Sequence, residues 1–196
     1  MTDWVDALEP GAPDVIAAWR GIEAGRFVSV RREVRRRGGE GTAEKLGAQL
    51  ATLADGLAST VEALPDAAFG LPGGEGDWTV AEAIGHDVHA RSGLVLAASL
   101  AANGRWPADA PTVVPGVPGP VDVNRDELLR KIAQSQRLVD RAARAIAGHE
   151  TDACPLEHPL VGRLRCGEWI LFAGVHDVMH LEQLNNLASE LRAGVG

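Results

Sequence analysis

The chain has 196 residues, a formal net charge of -8 at pH 7 and 45% hydrophobic residues, which suits one domain that buries its own core. The acidic balance argues against general nucleic-acid binding, because phosphate backbones attract clustered Lys and Arg. No segment approaches the ~20 apolar residues that span a bilayer, and the start, MTDWVDALEP, does not resemble a secretion signal, so we expect a cytoplasmic protein without a membrane partner.

Residues 1–41 form an N-terminal extension to a core at residues 42–192, within a single domain that covers residues 1–196. Spaced apolar residues in the extension suggest one or two amphipathic helical pieces: Ile16, Trp19, Phe27, Val30 and Val34. The segment FVSV, from Phe27 to Val30, is equally compatible with an extended conformation. The basic run that follows, Arg31 to Arg37, is expected to be a solvated helix end.

The first core helix is predicted from apolar residues that advance in steps of three and four: Leu46, Leu50, Leu53, Leu57, Val61 and Leu64. Thr42 is the predicted N-cap, and Pro65 follows the end of the helix. The second core helix begins at a capping box, in which the Thr79 hydroxyl and the Glu82 carboxylate each bind a backbone N–H group of the other residue. We expect this helix to continue to about residue 103 or 104.

A long connection follows at residues 104–122, which contain five prolines and few helix-forming residues. Such a length suits a crossover along a helical bundle, so the helices on either side are expected to run in the same direction. The third core helix starts at Asn124, with Glu127 three residues later, and ends before Gly148. Its stripe consists of Leu128, Ile132, Val139, Ala143 and Ile146. A second loop is predicted over residues 149–166, where Cys154 and Cys166 are expected to be free thiols.

The fourth core helix, at about residues 167–192, carries two histidines on its apolar stripe, which consists of Trp169, Phe172, His176, His180, Gln183, Leu187 and Leu191. Two buried imidazoles one turn apart need partners, because both protonated rings would repel each other. A divalent metal would satisfy them, but ordinary hydrogen bonds in a polar core would also do so. The spacing alone leaves both interpretations open.

A third histidine, His86, lies on a face of the second helix made of small residues, which leaves room beside it for another helix or a bound molecule. His89, one turn later, is the rival ligand. Asp87, Asp177 and Gln183 are candidates to hold the outer ring nitrogens, as metal-bound imidazoles require. Each aspartate lies about 100° around its helix from the neighbouring histidine, which makes Gln183 the best placed of the three.

Three segments in this order carry a family resemblance: LPDAAF (Leu64 to Phe69), DWTVAEAIGH (Asp77 to His86) and HDVMHLEQL (His176 to Leu184). With the helix order and the long central connection, residues 42–192 resemble the DinB/YfiT-like superfamily of metal-dependent enzymes. The resemblance implies an all-α fold, a four-helix bundle with a long crossover between its second and third helices. If the superfamily's up-down-down-up order holds, the second and fourth helices are antiparallel.

The resemblance also implies a divalent metal held by His86, His176 and His180, and it favours His86 over His89 as the third ligand. Zinc is the first expectation, with nickel and manganese as alternatives. The implied function is a thiol-dependent S-transferase that detoxifies a small-molecule substrate with a low-molecular-weight thiol, in a homodimer. Two alternatives stay open: a metal-dependent hydrolase at the same centre, and a non-catalytic dimeric bundle with a binding or stress-response role.

Overall fold

A computed structural model describes residues 3–74, 76–120 and 123–194 of the chain. Its helices are α1 Asp3–Leu8, α2 Pro13–Arg20, α3 Phe27–Arg37, α4 Ala43–Ala63, α5 Val80–Ala102, α6 Arg125–Ile146 and α7 Cys166–Gly194, with a 3-10 helix at Asp66–Gly70 and two strands, β1 Ala153–His158 and β2 Gly162–Arg165. The predicted all-α fold is confirmed. Within the described residues, the helices are all too short or too polar to cross a bilayer.

Two of the three predicted helix starts are confirmed by side-chain caps. Thr79 and Glu82 form the full capping box of α5, and the Asn124 side chain accepts a hydrogen bond from the Glu127 N–H at the start of α6. Thr42 occupies the N-cap position of α4 but does not cap it with its side chain. Its hydroxyl donates to the Gly39 carbonyl instead, and the first N–H of α4 donates to Glu150 at 3.3 Å, a residue remote in sequence.

The four long helices form the bundle, in which α4 and α5 each pack against both α6 and α7. The helices α5 and α6 run in the same direction, because contacts pair Arg91 with Ser135 and, ten or so residues later on both helices, Asn103 with Ala145. The 104–122 segment is therefore a crossover, as its proline content predicted.

Contacts of α4 fix the remaining directions. Gly47 lies against Ala143 while Leu64, just past the end of α4, binds Arg125, so α4 and α6 are antiparallel. Leu50 lies against Gly174 and Gly56 against Leu181, so α4 and α7 run in the same direction. The order is up-down-down-up, and α5 and α7 are antiparallel.

The antiparallel pair is offset along the bundle. Only residues 80–85 of α5 precede His86, whereas residues 181–194 of α7 follow His180. This offset brings the histidines of the two helices to the same level.

The segment at residues 149–166 is not the simple loop that its Pro and Gly content predicted. It contains the antiparallel hairpin β1–β2, in which Ala153 pairs with Arg165 and His158 with Gly162. The crossover stabilises this hairpin, since Glu157 exchanges backbone hydrogen bonds with Thr112 (2.7 Å) and Val114 (2.9 Å). Both cysteines are free, as predicted, and buried.

The N-terminal extension folds onto the bundle. Its helices α2 and α3 both pack against α7, and the predicted apolar residues Ile16 and Val34 are fully buried. The ambiguous segment FVSV is helical and forms the first turn of α3. The connection between α2 and α3 thereby reaches the side of the bundle on which His86 and His176 lie.

Candidate metal centre

His86 from α5 and His176 and His180 from α7 meet between the two helices. Their candidate ligand atoms all lie within 4.8 Å of one another, and the ring centroids are 4.5 to 5.5 Å apart. His180 is only 1% exposed, whereas the other two rings are partly exposed. We call these three residues the three-histidine centre.

The crossover fixes the ring of His86. Nδ1 of His86 lies 2.6 Å from the Val117 carbonyl oxygen, which can only accept, so Nδ1 carries the proton and Nε2 keeps its lone pair. This contact depends on two glycines, because a Cβ on Gly119 would lie 2.6 Å from both the Glu82 carbonyl oxygen and the Cα of Gly85. The crossover backbone can therefore reach the turn of α5 that carries His86.

Asp87 fixes the ring of His176 from the opposite helix. Nδ1 of His176 lies 3.1 Å from Oδ1 of Asp87, which is fully buried. Burial alone would raise the pKa of Asp87, but the hydrogen bond from His176 and the electrostatic attraction of His180, His176 and Arg91 outweigh it and lower that pKa. An ionised Asp87 holds the proton of His176 on Nδ1 and leaves Nε2 as the ligand atom.

Asp177, the residue after His176, contacts a different partner. Its Oδ2 accepts from Nε of Arg91 at 2.9 Å, and both side chains are buried. Burial raises the pKa of Asp177 well above its usual range, and the charge of the neighbouring Asp87 adds to this effect against the attraction of Arg91.

Arg91 also donates to residues of α4 and α6: the Leu50 carbonyl, Ser135 and Gln136. It thus links all four long helices one turn of α5 beyond Asp87. The role of Arg91 is not predictable from the sequence, because an arginine in a helix is ordinarily a surface residue. Its only local signal is the i, i+4 spacing from Asp87.

The other two candidates lie apart from this arrangement. His89 is exposed on α5 and is not among the ligand atoms that cluster. Gln183 is partly buried, and its Oε1 has no hydrogen-bond partner among the described residues. The structure therefore places Asp87, rather than Gln183, against a ring of the centre.

These residues fit a divalent metal. Tetrahedral zinc with Zn–N bonds of about 2.0–2.1 Å separates its ligand nitrogens by about 3.4 Å, so the rings need to close by no more than about 1.5 Å. The outer nitrogens of His86 and His176 are held by a carbonyl and a carboxylate, which is the usual support of metal-bound imidazoles. The three histidines could therefore hold a divalent cation.

A cavity of about 710 Å³ adjoins the centre and is lined in part by His86 and His176. Its walls come from the α2–α3 connection, α5, the crossover, the β hairpin and α7. His158 of β1 is a further lining residue, and its Nδ1 accepts a hydrogen bond from the Leu160 N–H at 3.2 Å. Burial, with a smaller electrostatic contribution from His176, lowers the pKa of His158 to about 4, so this ring is neutral at physiological pH. Sequence reasoning missed its role, because nothing near it in sequence marks the segment as part of a site.

The fold and the centre together define a helical bundle with a candidate site for a divalent metal. The family model of the DinB superfamily matches residues 49–184, and the chain belongs to this superfamily. The matched region contains all three histidines of the centre and both of the groups that hold their outer nitrogens. Comparisons with curated proteins and with solved structures gave no match.

Proposed function

We propose that the protein is a metal-dependent enzyme in which His86, His176 and His180 hold a divalent cation, with zinc as the first expectation, and which transfers a low-molecular-weight thiol to an electrophilic small molecule. The observation that carries this proposal is the support of the rings. Acceptors bind the outer nitrogens of His86 and His176, so each of these rings directs a lone pair toward the centre. An ordinary polar core has no need to orient separate imidazoles toward one point.

When bound, a divalent cation supplies Lewis acidity, which lowers the pKa of a thiol or water and makes either a nucleophile near neutral pH. Three neutral imidazoles suit this chemistry because they leave the charge of the cation uncompensated. The Asp87 carboxylate strengthens His176 as a ligand by accepting its Nδ1 proton. The backbones of Gly85 and Gly119 approach each other closely, and this approach keeps the Val117 carbonyl oxygen within hydrogen-bond distance of Nδ1 of His86.

The cavity favours transfer to an apolar organic electrophile over hydrolysis. Its lining is mainly aliphatic and aromatic, so it accommodates an organic co-substrate better than ordered water. The metal-dependent hydrolase is the competing function, and it would use the same histidines.

The first experiment measures metal content in protein purified without a histidine tag. We expect close to one equivalent of a divalent transition metal, and less than about a tenth of an equivalent in the His176→Ala variant, because three nitrogen ligands become two. His89→Ala is the matched control and should retain the metal. Less than a tenth of an equivalent in the unmodified protein, with no uptake on titration, would contradict the proposal.

The metal-loaded protein then allows the two reactions to be compared. Thiol conjugation is followed with bacillithiol or mycothiol and a fluorogenic chlorobimane electrophile, and hydrolysis with a chromogenic ester. Conjugation that depends on His176 supports the transferase. Hydrolysis without conjugation would replace it with the hydrolase.

The homodimer, the cytoplasmic location and the absence of a nucleic-acid partner stay predictions. The last of these is supported by ion pairs within the basic run of α3, where Arg32 and Arg37 both bind the buried Glu33. Light scattering on the purified protein measures the oligomeric state.

A further inference from the structure

The cavity beside the three-histidine centre is lined mostly by apolar side chains. Six of its described lining residues carry a charged or imidazole side chain, and the others are aliphatic or aromatic residues, Met, Gly or Pro. The charged pair among the six, Glu23 and Arg26, neutralise each other through an exposed ion pair of 2.7 Å. A polar group placed against this lining would find few partners, so the part of a ligand that fills the cavity has to be apolar.

The exposed part of the cavity lining is apolar as well. Four of its lining residues are large hydrophobic residues that are between 43% and 55% exposed: Phe27, Val113, Val117 and Leu160. They come from α3, the crossover and the hairpin, so three separate segments contribute apolar surface to one place. Apolar surface gathered in this way is characteristic of a binding site.

The remaining polarity lies at defined points. His86 and His176 present the three-histidine centre to the cavity, and His158 adds a neutral ring. Because the Leu160 N–H can only donate, Nδ1 of His158 is the acceptor, and the proton of the neutral ring lies on Nε2. His158 therefore has one group to offer a ligand, an N–H donor suited to an oxygen atom.

We propose that this cavity binds a predominantly apolar small molecule with a single carboxylate head group, whose oxygens meet the three-histidine centre while its hydrocarbon body fills the space between α3, α5 and the hairpin. The head-group part rests on the proposed function, since it needs the metal. The apolar body does not, because it depends only on the lining. The volume of about 710 Å³ lies within the range of pockets for drug-sized molecules.

The test uses linear saturated carboxylates from hexanoate to dodecanoate, kept below their micelle concentrations, together with the 1-alkanols of equal length. Trp19, Trp78 and Trp106 line the cavity, so intrinsic fluorescence reports binding, with calorimetry as the second measurement. Affinity should rise about fourfold per added methylene until the chain fills the cavity. The metal-loaded protein should bind each carboxylate at least tenfold more tightly than its alcohol, a difference that His176→Ala abolishes.

Filling the cavity provides the decisive variant. A Cβ on Gly93 of α5 meets no atom within 4 Å, so Gly93→Phe introduces a bulky side chain at the cavity wall with no clash at its Cβ. We expect at least a tenfold loss of dodecanoate affinity with unchanged metal content. Gly70→Phe is the matched control, since Gly70 has equally open surroundings but lies outside the cavity. Ala97→Phe, at another lining position, is the second variant if Gly93→Phe folds poorly.

The outcomes separate the two proposals. If alcohols and carboxylates bind alike but affinity still follows chain length, the metal-bound head group is wrong and the apolar site stands. If affinity ignores chain length, or Gly93→Phe and Gly70→Phe behave alike, the apolar site is overturned whatever the metal content. Fluorescence that changes with protein concentration and not with added carboxylate would also overturn the apolar site. The exposed apolar residues would then contact a second copy of the chain.

Discussion

Two polar regions lie side by side between α5 and α7 and differ in their exposure and in the partners of their side chains. The three-histidine centre opens onto the cavity, whereas Arg91 with Asp177, Ser135 and Gln136, which we call the Arg91 centre, lies inside the bundle. Consecutive residues supply both regions, because His176 faces the first and Asp177 the second. One residue step turns a helix by about 100°, enough to separate a ligand-facing position from an interior one.

Of these two regions, the three-histidine centre is the one that could bind a ligand. The Arg91 centre is closed: Arg91 is fully buried and its donors reach three other helices. The three-histidine centre instead keeps partly exposed rings at the edge of a large cavity. Asp87 lies between the two, on the helical turn that precedes Arg91, and contacts His176. The Arg91 centre therefore links the long helices, two of which carry the three histidines.

The largest expected effect comes from breaking the Arg91 centre. Arg91→Met should lower the free energy of unfolding by about 3–5 kcal/mol, because it leaves the buried Asp177 and three other acceptors without their donor. Urea unfolding followed by circular dichroism measures this loss. The exposed arginine of the control Arg130→Met should change stability by no more than about 0.5 kcal/mol. A loss below about 1 kcal/mol for Arg91→Met would show that this centre does not hold the bundle together.

A smaller effect is expected at the residue that joins the two regions. Asp87→Asn removes the charge that holds the Nδ1 proton of His176 and should weaken metal binding by about 10- to 100-fold. Competition with a chromogenic chelator gives the affinity. Asp55→Asn, the same change on the exposed side of α4, is the control. Equal affinities for the two variants would mean that Asp87 belongs to the Arg91 centre alone.

The smallest effect concerns His158 on the cavity wall. Its folded-state pKa of about 4 lies below the ordinary value of 6.5, so between these values the unfolded chain binds a proton that the folded protein does not. Stability therefore falls as the pH drops from 6.5 to 4. Because the ring is partly exposed, solvent screening limits this contribution to about 1 kcal/mol.

Stability curves at pH 7 and pH 4 test this contribution. His158→Phe should reduce the difference between the two curves by about 1 kcal/mol. Val113→Phe, which adds a ring to the same wall without removing a titrating group, should leave the difference unchanged. An undiminished difference in His158→Phe would show that the ring is solvated in the folded protein.

The helices were predictable because their signals are local. Each signal depends on residues that are close in sequence: the apolar stripe of α4, the capping box of Thr79 and Glu82, and the prolines of the crossover. The Thr42 cap was wrong because a distant residue, Glu150, provides the acceptor. The hairpin was missed because backbone bonds to the crossover stabilise it, and no pattern within residues 149–166 encodes them.

The site shows the same division. Helical spacing indicates His176 and His180, and the family resemblance favours His86 over His89; these are the three histidines whose candidate ligand atoms lie together. Gln183 was ranked above Asp87 because angles were measured around a single helix. Those angles say nothing about a partner on the opposite helix, and Asp87 reaches His176 across the gap between α5 and α7.

The sequence by itself determined the four long helices, the crossover and the pair His176 and His180, since periodicity, caps and prolines act over short distances along the chain, and the family resemblance added His86. Only the tertiary structure decided which acid supports which ring, that Arg91 links the four helices, and that α3, the crossover and the hairpin enclose a cavity beside the centre. These properties depend on the relative placement of segments far apart in sequence. That placement is set by packing across the whole bundle, which no local pattern contains.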